Sequence, residues 1–496
     1  MKTELIKLDS NNIDEELITK AGQIILDGGL VAFPTETVYG LGADALNEEA
    51  VRSIYVAKGR PSDNPMIVHV SEESQLADLV EGGADGIGQD AATLIKAFWP
   101  GPLTMIFRKS AAVPDATTGG LDTVAIRMPS NEMARDLITA AKRPIAAPSA
   151  NISGKPSPTT AEDVLEDMDG KIDAILMGEQ CDVGIESTVV DLTSELPTIL
   201  RPGAVTAADL SKALGKEVVY DKALYSKPEV IADPAEGVAE TQEAPKSPGM
   251  KYTHYSPNAK VRLIEGSDDE FMKKALELGY AAREIGEKVA ILNYGDDAEK
   301  AAHKLFADLR ELDRQGYDQI LIRSLKEKDM GFSVMNRMLK SAGYDVIKEN
   351  AMVIAIGSDH AGYELKEKVK EKMAAIGHTM IDVGCDSTES VDYPKYGHAV
   401  GRKVASGEAE RGIAICGSGI GISIACNKVP GIRAALCTSV EMAEMCRRHN
   451  NANVICMGAR MISEQLAYDM IDTWMTTDFE GGKHERRINE LDDIDF

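Results

Sequence analysis

Aromatic residues are scarce in this 496-residue chain, 5% in all, so its cores must be built mainly from Ile, Val, Leu, Met and Ala. Positive charge is also in deficit: 54 Lys and Arg stand against 80 Asp and Glu, a net charge of -26. Such a surface repels polyanions, which argues against a broad nucleic-acid face or attraction to an anionic membrane. Any anionic ligand must therefore meet local clusters of Lys and Arg. The seven cysteines are odd in number, six of them follow Gly384, and no C-x-x-C pair occurs. They form neither a disulfide framework nor a zinc pattern, and a reducing cytoplasm is expected. No apolar run approaches the ~20 residues of a membrane helix, and Met1 to Leu5 leads into an acidic amphipathic segment with no apolar h-region. The reading is a cytoplasmic protein with no membrane partner.

What is present points to several domains. The length suits about three, and 44% hydrophobic content is ample for ordinary cores. A tract rich in Pro, Ala and Glu, Ser226 to Lys246, cannot bury enough apolar surface to fold alone. Ser247-Pro248-Gly249-Met250-Lys251-Tyr252-Thr253-His254-Tyr255-Ser256-Pro257 follows, too aromatic for a merely flexible connector. Either it is a stiff hinge packing its tyrosines on a neighbour, or it reaches back over a pocket in the N-terminal part.

In that part, helical spacing over Ile13 to Asp27 stops at Gly28-Gly29, and a short strand, Leu30 to Phe33, ends in the polar loop Pro34-Thr35-Glu36-Thr37-Val38-Tyr39-Gly40-Leu41-Gly42. A helix from Glu48 to Ala57 runs into Lys58-Gly59-Arg60-Pro61, two cations spaced to clamp a polyphosphate or merely to face solvent. Strands are expected at Met66 to Val70, Leu103 to Phe107, Thr123 to Met128, Ile145 to Ala147, Ala174 to Met177 and Ser187 to Leu192. Polar loops end them: Pro148 to Gly154, Gly184 to Thr188 and Arg201 to Gly203. This reads as an α+β domain with a central twisted sheet and one cleft.

Taken together, Pro34 to Gly42, Lys58 to Pro61, Trp99-Pro100-Gly101-Pro102-Leu103-Thr104, Pro148 to Asn151 and Ser187 to Asp191 resemble the YrdC/Sua5 family, the threonylcarbamoyl-AMP synthases. The resemblance implies conversion of L-threonine, bicarbonate and ATP to threonylcarbamoyl-adenylate and pyrophosphate, which feeds the tRNA threonylcarbamoyl transferase machinery. It implies that Thr37, His69, Arg127, Ser149 and Ser187 hold the threonine and its carbamate. Lys58 would stand between amino acid and nucleotide, and Arg60, Asn64, Thr123, Asn151, Thr159 and Arg201 would contact ATP, with Mg²⁺ bridging its phosphates. No dedicated metal-ligand cluster is apparent. The Ser247–Pro257 stretch resembles the linker of the longer members, which favours the pocket-reaching reading and adds His254 and Tyr255 to the ATP contacts.

From Asn258 to Asn350 strands and helices alternate, predicting a small Rossmann-like parallel sheet with crossover helices and no glycine-rich phosphate loop. Its ligand, if it has one, is not indicated. From Ala351 on, a doubly wound α/β domain is expected. Asp359 and His360 stand at the end of the strand Val353 to Ile356, and Cys416-Gly417-Ser418-Gly419-Ile420-Gly421 follows the strand Gly412 to Ile415. Small residues at a helix start expose N–H groups to an oxyanion and favour a cysteine thiolate there. Lys483 and Arg487, at i,i+4, suit a phosphate or a solvated face, and Cys426, Cys437, Cys446 and Cys456 read as small core hydrophobes.

Ser358 to Gly362, Asp392-Tyr393-Pro394, Ile415 to Ser423, Arg448-His449-Asn450 and Gly481 to His484 resemble ribose-5-phosphate isomerase B. The resemblance implies Cys416 as the base moving a proton between C1 and C2. The amides of Gly417, Ser418, Gly419, Ile420 and Gly421 would hold the enediolate, and His449 would open the ring. Asp359 and Tyr393 would hold the sugar, and His360, Arg460, Lys483 and Arg487 the phosphate. No cofactor is implied. Lys483 stands where Arg is common, losing a bidentate fork but not the charge. The family's sites are built across a dimer, so Asn450 or Arg460 could serve a partner.

The domain reading is therefore residues 1–220, a linker 221–257, 258–350 and 351–496. Rival readings are an RNA-binding module or a zinc-dependent carbamoyltransferase for the first half. For the second they are a galactose- or allose-6-phosphate isomerase, or a dimerisation domain.

Overall fold

The computed structural model describes residues 2–9, 13–224, 255–348, 351–375 and 377–492. Two compact units divide it, Met1–Val346 and Ile347–Phe496. In the first, a mixed sheet of eleven described strands runs in the order Glu4–Lys7, Ala174–Met177, Val31–Phe33, Gly40–Asp44, Ile145–Ala146, Ile67–His69, Thr123–Arg127, Leu103–Arg108, Thr188–Asp191, Thr198–Arg201, Val219–Tyr220. Helices Glu15–Leu26 and Glu132–Ala141 bury Ile18, Ile25, Leu137 and Ile138 against Val31 and Phe33 on one face. Asp14 starts the first of these helices by accepting the N–H groups of Glu16 and Leu17. On the opposite side Tyr39, Ile54, Leu94 and Met105 form a second apolar layer.

Two segments differ from the sequence reading. The N-terminal amphipathic stretch contains an edge strand, Glu4–Lys7, parallel to Ala174–Met177, in which Ile6 alone is buried. Gly40-Leu41-Gly42, read as loop, belongs to the buried strand Gly40–Asp44. Its glycine serves packing: a Cβ on Gly42 would lie 2.7 Å from the Ile145 side chain and 2.8 Å from the Phe33 ring.

The same unit holds a second sheet in the order Val289–Leu292, Gln319–Arg323, Lys260–Ile264, Val346–Ile347, its first three strands parallel. Helices Ala298–Arg314 and Met330–Ser341 pack beside it. Its core, built on Leu305, Phe306, Ile320 and Met338, also takes in Val38, Ile185 and Tyr255. The two sheets are therefore joined through shared apolar contacts.

The second unit is a five-stranded parallel sheet in the order Thr379–Asp382, Val353–Ser358, Arg411–Cys416, Val454–Gly458, Ala434–Leu436. The strand order reverses between Val353–Ser358 and Arg411–Cys416, where an open α/β sheet leaves a crevice at its C-terminal edge. Cys426, Cys437, Cys446 and Cys456 are buried, as read from their apolar neighbours.

Candidate active sites

Strand pairing gathers the polar motifs of the first unit. His69 stands beside Arg127, Arg127 opposite Thr104, and Leu103 beside Thr188 on successive strands. The Pro148–Asn151 loop lies against the start of Gly40–Asp44: Gly40 bridges Ser149, and the Leu41 N–H donates to the Pro148 carbonyl at 2.8 Å. Together these segments form a single cleft, open to solvent on one side. Thr37, Lys58, Arg60, His69, Arg127, Ser149, Asn151, Ser187, Arg201 and Tyr255 all line it.

Three residues of the sequence reading do not. Thr123 opens a strand whose Arg127 end reaches the cleft, four residues or about 13 Å away. Asn64 and Thr159 are buried outside the lining; the Asn64 carbonyl accepts from Arg60 and Tyr55. His254 lies outside the described residues.

Lys58 is buried and donates to the carbonyls of Ser149 and Asn151. Burial, with Arg60 nearby, holds its ammonium well below the usual lysine range. Burial, then the Arg127 charge, pushes His69 down to about 3, so its imidazole is neutral in ordinary buffers. Arg127 donates to the Thr37 hydroxyl at 2.9 Å and pairs with Glu36 at 2.7 Å. Arg201 donates to the Ser187 carbonyl and hydroxyl, both at 3.0 Å, and that hydroxyl shares a hydrogen bond with Thr104 at 2.8 Å.

Sequence reasoning missed Glu186. It lines the cleft and accepts from Ser157 at 2.5 Å and from Arg337 at 3.1 Å. Burial would raise its carboxyl, but the arginine charges, Arg337 first, outweigh that and hold it low. Its signal was the polar Gly184–Thr188 loop, which did not say which residue mattered. Tyr255 adopts φ 66°, is buried and stacks on Phe306 with ring centroids 5.1 Å apart. Burial, then Glu186, pushes its phenol up to about 12.

In the second unit Asp359 accepts the N–H groups of Ala361 and Gly362 at 3.0 and 3.1 Å, fixing the turn into the next helix. Tyr393 packs on Gly421, where a Cβ would stand 2.5 Å from its ring. The Arg460 side chain lies over Gly417, and its N–H donates to the Gly417 carbonyl at 3.1 Å, so it belongs to this edge in its own chain. The His360 Nδ1 lies 3.2 Å from the Val391 carbonyl. Cys416 is buried, sharing a cluster with Ile422 and Cys426, while its sulfur accepts the Gly419 N–H at 3.1 Å. It therefore sits under the glycine turn and not openly in it.

His449 lies elsewhere. It is in the last turn of the helix Val440–Asn450, which leads into the start of the strand Val454–Gly458, whereas Cys416 pairs with that strand's last residue. Four residues of strand put about 13 Å between those edges. His449 stacks on His484, ring centroids 4.2 Å apart, beside Lys483 at the start of the helix that also carries Arg487. Among the described residues, His449, Glu480 and His484 are a group whose ligand atoms could share an ion. Arg448 already pairs with Glu480.

A family model described as "Telomere recombination" matches residues 23–203, and "Threonylcarbamoyl-AMP synthase, C-terminal domain" matches 205–343. "Ribose/Galactose Isomerase" matches 354–491. The threonylcarbamoyl-AMP synthase of Pyrococcus abyssi is 47% identical over 347 residues, 68% of this chain and 97% of that protein. Ribose-5-phosphate isomerase B of Escherichia coli is 42% identical over 142 residues, 29% of this chain and 95% of that protein. The chain belongs to both families. The crystal structure of P. abyssi Sua5 complexed with L-threonine superposes with a TM-score of 0.64 at 46% identity, covering 70% of this chain and 99% of that one. Membership in the synthase family thus extends over both sheets of the first unit, and membership in the isomerase family over the second.

The synthase cleft does not itself offer a magnesium cage: Glu186 is engaged by Ser157 and Arg337, and Glu36 by Arg127.

Proposed function

We propose that the first unit condenses L-threonine, bicarbonate and ATP to threonylcarbamoyl-AMP with release of pyrophosphate, and that the second interconverts ribose 5-phosphate and ribulose 5-phosphate. The synthase reading is carried by one observation: Lys58, Arg60, Arg127 and Arg201 line a single cleft with Thr37, Ser149 and Ser187, in a chain of net charge -26. A carbamate oxygen attacking the α-phosphorus brings two anions together. Lys58 and Arg60 offset that repulsion, Arg201 holds the nucleotide side, and the hydroxyls orient the amino acid. Asn151 and Tyr255 complete the nucleotide wall, and ATP brings its Mg²⁺ with it. Pyrophosphate release that requires both threonine and bicarbonate tests this reading; release indifferent to threonine would defeat it.

In the isomerase, the Cys416 sulfur takes the proton from C2 and returns it to C1, while the hydroxyl proton passes from O2 to O1. The amides of Gly417 to Gly421 and the Ser418 hydroxyl stabilise the enediolate between these steps. Asp359 and Tyr393 hold the sugar, and His360 and Arg460 bind phosphate. His449, Asn450, Lys483 and Arg487, at the opposite edge of the sheet, serve the crevice of a second copy, which makes the working form a homodimer or larger. Ile420 and Ile424, each 55% exposed and one turn apart beside that crevice, suit an interface with that copy. Its product and the adenylate are soluble intermediates, and a cytoplasmic enzyme supplying the tRNA threonylcarbamoyl transferase machinery is the setting that fits seven free cysteines.

A further inference from the structure

The segment 258–346 holds no glycine-rich phosphate loop, yet its helices Ala298–Arg314 and Met330–Ser341 bury Arg310 and Arg337 against the N-terminal part, Arg337 on the cleft residue Glu186. Arg337, in the helix Met330–Ser341, is fully buried. Its Nε donates to Glu186 Oε2 at 3.1 Å, its Nη2 to the Glu186 carbonyl at 3.4 Å, and its Nη1 to the Pro202 carbonyl. One helical turn earlier, Ser333 donates to the Gly203 carbonyl at 2.8 Å. The same helix thus grips both chain segments that carry cleft side chains, Glu186–Ser187 and Arg201–Gly203.

Those segments are pressed together. A Cβ on Gly203 would come within 2.4 Å of the Thr188 nitrogen and 2.8 Å of the Glu186 carbonyl. Between them Arg201 reaches the Ser187 carbonyl and hydroxyl. Withdrawing the Arg337 guanidinium would leave the buried Glu186 carboxylate short of a partner and free the Pro202 carbonyl, so both segments would move.

We infer that Arg337, with Ser333, is a positioning residue for the nucleotide side of the synthase cleft, and that the 258–346 segment acts as its clamp. This rests on the synthase reading and deepens it: Arg337 sets the aim of Arg201 through Glu186 and the Pro202–Gly203 turn.

The test uses the full-length chain and two readouts, ATP binding by titration calorimetry and threonine-dependent pyrophosphate release. Arg337→Met is expected to weaken ATP binding and raise the KM for ATP at least about tenfold, with the KM for threonine changed less than about threefold. Ser333→Ala, a gentler loss of the same grip, is expected to raise the KM for ATP about two- to fivefold with the thermal melt unchanged. Arg337→Lys keeps one charge but not the planar fork that reaches Glu186 and Pro202 together, and should recover only part of the loss. Isomerase turnover in the same tube reports that the rest of the chain is intact. A folded Arg337→Met chain with wild-type ATP affinity would refute the inference. If Arg337→Met does not fold, a Ser333→Ala chain with unchanged KM for ATP would do so. Should the wild-type chain neither bind ATP nor release pyrophosphate, the synthase reading itself has failed; should it do both while the variants match it, only the clamp has.

Discussion

Lys58 combines burial with a cation, and a buried ammonium is kept only where carbonyls or an anion repay its desolvation. The Ser149 and Asn151 carbonyls do this at rest, and an arriving carbamate and α-phosphate would do it in turnover. Lys58→Met should therefore cost at least ~100-fold in kcat/KM for adenylate formation, the scale of losing a preorganised charge at the reacting centre; a loss under threefold would contradict its role. Sequence spacing made Lys58 and Arg60 visible as a pair but left a phosphate clamp and a solvated face both open, and only the neighbouring family motifs favoured the clamp. Glu186, Arg310 and Arg337 were not visible. On an amphipathic helix a charged residue looks the same whether it meets water or a neighbouring domain, and Arg310 and Arg337 are buried only because another part of the chain covers them.

At the scale of elements, the helix Ala298–Arg314 is the second half of the grip on the YrdC-like sheet. Arg310 donates to Asp167 at 2.7 Å and to the Pro156 carbonyl, and Arg314 donates to Asp163 at 3.0 Å. Burial would raise the Asp167 carboxyl, but Arg310, then Lys155, outweigh it and hold it below its ordinary value. A depressed carboxylate contributes stability above its unfolded pKa and loses it as pH falls through the folded one. The grip should therefore be intact at neutral pH and fade below about pH 4. Hydrogen exchange of the helix Ala298–Arg314 across that range would show protection falling, and protection that stayed flat would remove the ion pair from the account. Arg310→Met leaves Asp167 buried with fewer partners and should cost about 3–5 kcal/mol of stability, measured as a lower denaturation midpoint; a change under about 1 kcal/mol would be the contrary result.

The alternation of strands and helices after Asn258 was legible because apolar periodicity switches cleanly there between strand and helix. The edge strand Glu4–Lys7 was not, because a single buried residue leaves no period to detect. Nor could Gly40 and Gly42 be told from turn glycines, since the Phe33 ring they accommodate arrives from a different strand. In the second unit the strand, glycine turn and helix after Gly412 were legible as elements, and the anion cradle is the use proposed for that turn. The burial of Cys416 beneath it was not legible, because that depends on how Ile422 and Cys426 pack.

For the whole molecule, Cys416 and His449 fall at opposite edges of one sheet, so in the isomerase reading proposed above a complete site is built from two copies. Mixing Cys416→Ala and His449→Ala chains under exchange should regain activity that neither has alone. In a twofold dimer half the pairs would be mixed, each with one intact site of two, giving about one quarter of wild-type activity. Activity that stayed at background would place Cys416 and His449 on the same chain's site or remove one from catalysis. The sequence could name both residues but not their separation, which emerges from the order of helix and strand around the sheet.

The account stands on two independent anion-binding sites in one acidic chain. The direct measurement assays wild-type, Lys58→Met and Cys416→Ala preparations for both threonine-dependent pyrophosphate release and ribose 5-phosphate isomerisation. The account predicts both activities in the wild type, loss of pyrophosphate release alone in Lys58→Met, and loss of isomerisation alone, at least ~100-fold, in Cys416→Ala. A wild-type preparation lacking either activity, or a folded single variant lacking both, would contradict it.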